Sequence, residues 1–221
     1  INLVKELANK KFSKKLCLEN IPYNIFIEKE EVIKEYLTSN YKRPYEAYYE
    51  LRSKRILPIN IYNILSEKEL RKCRIKTTSE VTCPTFLRIN IDLMRLLGYY
   101  IAEGWLSNPK KHHNYDIVFC FNKNEVEYHQ EIINAFMALF NQDVYIEPPF
   151  NNAVKLKVNS YIIWHVFKYV LKVGKYAKHR KIPDIVLNVN NELREEFIRT
   201  YTNGDYGSSA SERLMSDLLY L

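Results

Sequence analysis

Two carboxylates in this 221-residue chain stand where helix building alone does not ask for them. Glu103 closes the apolar run Leu96-Leu97-Gly98-Tyr99-Tyr100-Ile101-Ala102-Glu103-Gly104-Trp105, and Asp205 lies in Phe197-Ile198-Arg199-Thr200-Tyr201-Thr202-Asn203-Gly204-Asp205-Tyr206-Gly207. Each acid follows a small residue, Ala102 or Gly204, and the two are 102 positions apart. Acids brought together in this way offer hard oxygen ligands to Mg²⁺, which takes a few carboxylates and fills its other positions with water or phosphate oxygens. Phosphodiester hydrolysis is the chemistry such a pair suits, because charge on the reacting phosphate must be neutralised.

The elements that must position the acids are two helices. Gly98 and Ala102 are four residues apart and share a helix face, so they leave a bare strip against which a second helix can pack closely. Gly204 supplies a small residue at the matching place on the second run. Asn90 is a good N-cap for the first helix, Asp92 suits the positive end of its dipole, and Gly104 is read as the stop after Glu103. The second helix starts near Asn190-Asn191-Glu192-Leu193. Only five glycines occur in the chain, and Gly98, Gly104, Gly204 and Gly207 all lie in these two runs. The common interval reads as an internal duplication.

The paired runs resemble the two dodecapeptide motifs of LAGLIDADG homing endonucleases, in the form found inside inteins, and the likeness covers roughly residues 60 to 221. It implies an α+β fold of pseudo-symmetric αββαββα repeats whose antiparallel sheets form a DNA-binding saddle. It also implies a Mg²⁺ (or Mn²⁺) site held by Glu103 and Asp205, with Gly98, Ala102 and Gly204 as the helix seam. Lys181-Ile182-Pro183 resembles a Lys-Ile-Pro block of intein endonucleases, which makes Lys181 the candidate catalytic lysine, polarising water or stabilising the scissile phosphate, or else a plain phosphate contact, with Arg180 and Lys178 as alternatives. Tyr206 and Thr200 replace smaller residues of the pattern. The second repeat reads as incomplete, because few residues separate Asp205 from the next helix near Ser211.

Between the motifs the chain alternates helix and strand signals. Tyr115 to Phe121 reads as a strand, Glu125 to Phe140 as a helix, and Val144 to Glu147 and Ala153 to Val158 as strands joined through Pro148-Pro149. A helix follows from Ser160 to Val173 with Gly174 at its end. Val154, Leu156 and Val158 alternate with Lys155 and Lys157, giving one apolar and one cationic sheet face. Such a ribbon could lie in a major groove. Further candidate DNA contacts are Lys110 and Lys111 in a polar turn, Lys178 and Arg180 in a basic loop, and Arg52, Lys54 and Arg55 at the edge of a helical hairpin opened by Pro44.

The domain reading is a helical, basic accessory or DNA-contacting subdomain over 1–64, a connector over 65–89, a first repeat over 90–190 and the truncated start of a second over 191–221. The formal charge of +7 favours an anionic partner modestly. Cys17, Cys73, Cys83 and Cys120 lack zinc-knuckle or redox spacing and read as reduced thiols. No apolar run has membrane-spanning length. A start at Ile1, without methionine, suits a piece of a larger precursor, the host protein of an intein. The expected molecule is a cytoplasmic monomer whose partner is double-stranded DNA with a long asymmetric site. Two functions from different classes fit: a Mg²⁺-dependent, site-specific DNA endonuclease, or a non-cleaving DNA- or RNA-binding relative such as a maturase, a regulator or a degenerate endonuclease.

Overall fold

Asn90 starts the helix on which the C-terminal part of the molecule is built. Its side chain accepts a hydrogen bond from the Leu93 N–H at 3.2 Å at the start of α6 (Ile91–Glu103). Every residue from Leu96 to Ala102 is buried, as expected of a stretch that is apolar on all sides. The computed structural model describes residues 1–77, 82–109, 114–174, 180–205 and 211–220. These fall into two units, Ile1–Leu87 and Arg88–Leu221. Among the described residues no helix is long and apolar enough to cross a membrane.

In the second unit α6 is followed by β5 (Gly104–Leu106), β6 (Asp116–Asn122), α7 (Val126–Phe140), β7 (Tyr145–Ile146), β8 (Ala153–Asn159) and α8 (Tyr161–His165). This is the expected α-β-β-α-β-β-α order. The sheet is antiparallel in the order β5-β6-β8-β7. Ile117, Phe119, Phe121, Val154, Leu156 and Val158 point into the core, and Phe119 meets Tyr100 and Phe136 edge-on. Two boundaries differ from the sequence reading. Gly104 is no left-handed helix stop: its φ of −98° and ψ of 157° make it the first residue of β5, so the chain passes from helix to strand without a loop. The β7–β8 reversal is made at Asn151-Asn152, not at the prolines. Both asparagines have positive φ, 47° and 68°, and Phe150 and Ala153 exchange two 2.9 Å backbone hydrogen bonds around them, the pattern of a primed hairpin turn.

After α8 come α9 (Asp184–Leu187), the long helix α10 (Asn191–Asp205) and α11 (Glu212–Leu218). Among the described residues no strand follows α10.

The first unit departs further from expectation. Beside α1 (Leu3–Ala8), α2 (Tyr23–Glu28), α3 (Glu30–Asn40), α4 (Pro44–Lys54) and α5 (Glu67–Leu70), it holds a second four-stranded antiparallel sheet. Its strands, in the order β2-β1-β3-β4, are β1 (Cys17–Glu19), β2 (Leu57–Pro58), β3 (Arg74–Lys76) and β4 (Thr82–Pro84). The segment read as a connector over 65–89 therefore supplies two of these strands, and the segment over 1–64 is not wholly helical. Strands of two or three residues are too short to print an alternating pattern. Prolines sit on both edge strands, where a missing N–H costs no ladder bond.

Candidate active site

The most extensive helix contact in the second unit is between α6 and α10, and small residues set its closeness. A Cβ placed on Gly98 would lie 2.0 Å from Thr200 Oγ1 and 2.6 Å from the Phe197 carbonyl oxygen, and one on Gly204 would lie 2.5 Å from Ala102 Cβ. The helices run parallel, with 98 against 200 and 102 against 204, so each residue meets the one 102 positions away. That is the register a local two-fold axis produces. Thr200 is fully buried there, and its hydroxyl is satisfied by donating back to the Glu196 and Phe197 carbonyls at 3.0 and 3.1 Å. Farther back, Arg95 pairs with Glu196 across the seam. Arg199 bridges Glu196 and Glu131, and the Tyr99 hydroxyl donates to Glu131 at 2.6 Å.

Parallel packing brings both C-terminal ends, and with them Glu103 and Asp205, to one side. They line a single cleft of about 480 Å³ with Cys120, Asn122, Glu125, Asn151 and Asn152. The negative ends of two helix dipoles converge on two carboxylates. Burial, then the charge of Asp205, pushes the Glu103 carboxyl up to about 7, with Glu125 adding to the rise and Arg180 opposing it. Asp205 is also raised, by burial, against the pull of the Tyr201 hydroxyl, 3.4 Å away, and of Arg180. Two like charges held half-buried at the ends of two helices fit a divalent cation. Among the described residues no cluster of three His, Cys, Asp or Glu side chains could hold one, so the remaining ligands would be waters and substrate oxygens, as Mg²⁺ prefers.

The raised carboxyl has a consequence for stability. The folded chain keeps a proton on Glu103 that the unfolded chain releases near pH 4.5, so stability falls as pH rises from there towards 7. For a half-exposed group the loss is about 1 kcal/mol after solvent screening. Urea unfolding of the cation-free chain across this range should show it, and Glu103→Gln should remove that component. An unchanged profile in the variant would rule out a raised Glu103.

The basic candidates are spread more widely than the acids. Arg180 is not an open phosphate contact: its guanidinium donates to the carbonyls of Ile101, Ala102 and Gly104 at 2.6, 2.5 and 2.7 Å, capping the end of α6 whose carbonyls lack helical partners. Lys181 follows in sequence but does not line the cleft; its ammonium donates to Asp184 at 2.8 Å. Lys155 is exposed on the outer sheet face opposite Cys120, and Lys157 on that face pairs with Glu147. In the first unit Arg52 stacks on and donates to Tyr23, Lys54 pairs with Glu50 at 2.5 Å, and Arg55 donates to the Ile21 carbonyl at 2.9 Å. Lys110, Lys111 and Lys178 lie outside the described residues. Sequence reasoning missed Cys120, Asn122, Glu125, Asn151 and Asn152 in the cleft. The asparagine pair was the one available signal, as a turn able to reverse the chain beside the acids.

No protein-family model matches the chain. Over 212 residues, 94% of this chain, it is 28% identical to the uncharacterized protein MJ1054 of Methanocaldococcus jannaschii, of which the match covers 23%. Over 113 residues, 51% of this chain, it is 30% identical to the DNA polymerase II large subunit of Thermococcus kodakarensis, of which 6% is covered. Over 136 residues, 61% of this chain, it is 30% identical to transcription initiation factor IIB of Methanocaldococcus jannaschii, of which 18% is covered. The chain thus spans less than a quarter of the length of these curated relatives. Among solved structures, I-DmoI in complex with its target DNA, nicked in the coding strand and in the presence of Mn, aligns with a TM-score of 0.35 and 16% identity, covering 52% of this chain and 63% of that one.

Proposed function

We propose that this chain is the site-specific, double-strand DNA endonuclease of an intein, a LAGLIDADG enzyme dependent on Mg²⁺ or Mn²⁺. The observation that carries the reading is the meeting of Glu103 and Asp205 at the ends of two helices, in a setting that raises both carboxyls. A packing helix gains nothing from such a pair, whereas a cation offsets its cost. The relatives support the embedded setting. A DNA polymerase subunit and a transcription factor share no common task, yet each contains a stretch similar to this chain that makes up 6% or 18% of its length. A mobile insert has that distribution, and the DNA it must find is the gene without the insert.

When bound between Glu103 and Asp205, the cation would supply Lewis-acid polarisation of the scissile phosphate and neutralise its developing charge. The chain's own groups prepare for this. Arg180 fixes the carbonyls on either side of Glu103, so the backbone that carries the carboxylate is held in place before substrate arrives. Glu103 can give up its proton near neutral pH. The Asn122, Asn151 and Asn152 side chains line the same cleft and are of a type that hydrogen-bonds water or phosphate oxygen. Lys155, with Lys157 behind it, makes the outer sheet face the surface on which a duplex would lie. Lys181 is kept as the assisting lysine, released from Asp184 when phosphate competes for it.

The test is a pool of supercoiled plasmids with randomised inserts, incubated with the chain and Mg²⁺ or Mn²⁺. Linear products should share one recurring sequence and vanish with a chelator. Salt-sensitive duplex binding without any cleavage would instead favour the non-cleaving relative.

A further inference from the structure

We propose that the N-terminal unit carries a separate contact for the sugar-phosphate backbone of duplex DNA, in the cleft between the Lys11–Lys15 turn and the end of α3. The inference rests on the DNA-directed reading of the second unit and names a surface which that reading does not assign. The cleft is about 580 Å³ and is lined by Lys10, Lys11 and Lys14 together with the rings of Tyr36 and Tyr41. No acidic residue is among the residues lining it. All three lysines are exposed, and among the described residues none takes part in an ion pair. They differ in this from Arg52, Lys54 and Arg55, the basic group most visible in the sequence, whose charged ends are engaged within their own unit.

The lysines are displayed on a held frame. Asn60 Nδ2 donates to the Ala8 carbonyl at 2.7 Å and to Ser13 Oγ at 2.9 Å, tying the end of α1 to the turn. Ser13 is 2% exposed, and the Leu16 N–H closes the turn on the Ser13 carbonyl at 2.8 Å. Across the cleft Asn40 Nδ2 donates to the Tyr36 carbonyl at 2.9 Å and fixes the end of α3. On a 3-10 turn, residues three apart stand one above the other, so Lys11 and Lys14 are about 6 Å apart along its axis. That places two ammonium groups in a row that can follow successive phosphates of one strand, with Lys10 beside them. The two tyrosines flank the row with hydroxyls of the type that contacts phosphate and sugar. A repeating anion suits this row better than a single phosphate, and lysines meet phosphate as point charges with no demand on base sequence.

The experiment measures binding of the full chain to a fluorescent duplex of random sequence, without divalent cation, over a range of salt. Lys10→Ala/Lys11→Ala/Lys14→Ala should weaken binding roughly tenfold or more at low salt and flatten the salt slope by about 2 to 3. An unchanged far-UV circular dichroism spectrum would certify the fold, and Lys155→Ala/Lys157→Ala serves as the comparison on the sheet face. If the triple variant keeps wild-type affinity and slope while the sheet variant weakens, the second contact is refuted and the endonuclease reading survives. If the wild-type chain does not bind duplex at all, both fall. If, with a fluorescent single-stranded RNA as second probe, the triple variant loses RNA binding and keeps duplex binding, duplex DNA is the wrong occupant and the proposal is overturned.

Discussion

Glu103→Gln is expected to slow phosphodiester cleavage on the order of 10²–10³-fold, the scale typical of removing one preorganised charge-stabilising group, while duplex binding stays within a few-fold of wild type. Glutamine keeps the size and one acceptor oxygen of the side chain but carries no charge, so a cation held by Glu103 and Asp205 would lose one of its two anionic ligands. Asp205→Asn should act on the same step. Because the two acids would serve one centre, the double variant should fall well short of the product of the single effects. The measurement is single-turnover cleavage of a selected target at saturating Mg²⁺, alongside binding in its absence. Full activity in either variant would remove that acid from the centre. The cation-free variants should also be no less stable than wild type near neutral pH, because each relieves repulsion between two half-buried carboxylates. Loss of activity through unfolding is thereby separated from loss through chemistry.

The second large effect is on folding. Gly98→Val is expected to destabilise the second unit by about 3 kcal/mol, at the upper end of the usual cost of overpacking, and to lower its melting temperature by on the order of 10 °C. A first added carbon already lies 2.0 Å from Thr200 Oγ1 and 2.6 Å from the Phe197 carbonyl. The hydroxyl can turn away, but the carbonyl belongs to backbone and moves only with α10. Valine gains a few tenths of a kcal/mol over glycine in helix propensity, far too little to offset the clash. Adding Thr200→Ala should recover part of the loss and no more, since the Phe197 carbonyl remains in the way. A melting temperature unchanged in Gly98→Val would mean that the helices do not approach as closely as described here.

What could be read from the amino-acid sequence follows from how local each signal is. The motif helices, the acids at their ends, the N-cap at Asn90, the opening of α4 at Pro44 and the alternation of Lys155 and Lys157 are all written within a few consecutive residues. The facing of Gly98 with Thr200 could be inferred because one interval relates both motifs. Other features were hidden because their cause lies elsewhere in the chain. Arg180 looks like any basic loop residue until its three carbonyl partners on and beyond α6 are known. The short strands of the N-terminal sheet exist through pairing with partners up to 59 residues away, as between Cys17 and Lys76. β5 leaves no mark because three residues directly after a helix cannot establish a new period.

The way small and large residues alternate along the seam bears on partner choice. At one level the gap is on α6, where Gly98 receives Thr200; at the next it is on α10, where Gly204 receives Ala102. Two copies of α6 brought together in the same register would leave a void where glycine faced glycine and set alanine against alanine one turn later. Two copies of α10 would force threonine against threonine and leave a void at Gly204. Only the mixed pair fills every level. The seam thus disfavours self-association of either half, and a chain divided between its two motif helices should reassemble as a one-to-one heterodimer and not as two homodimers.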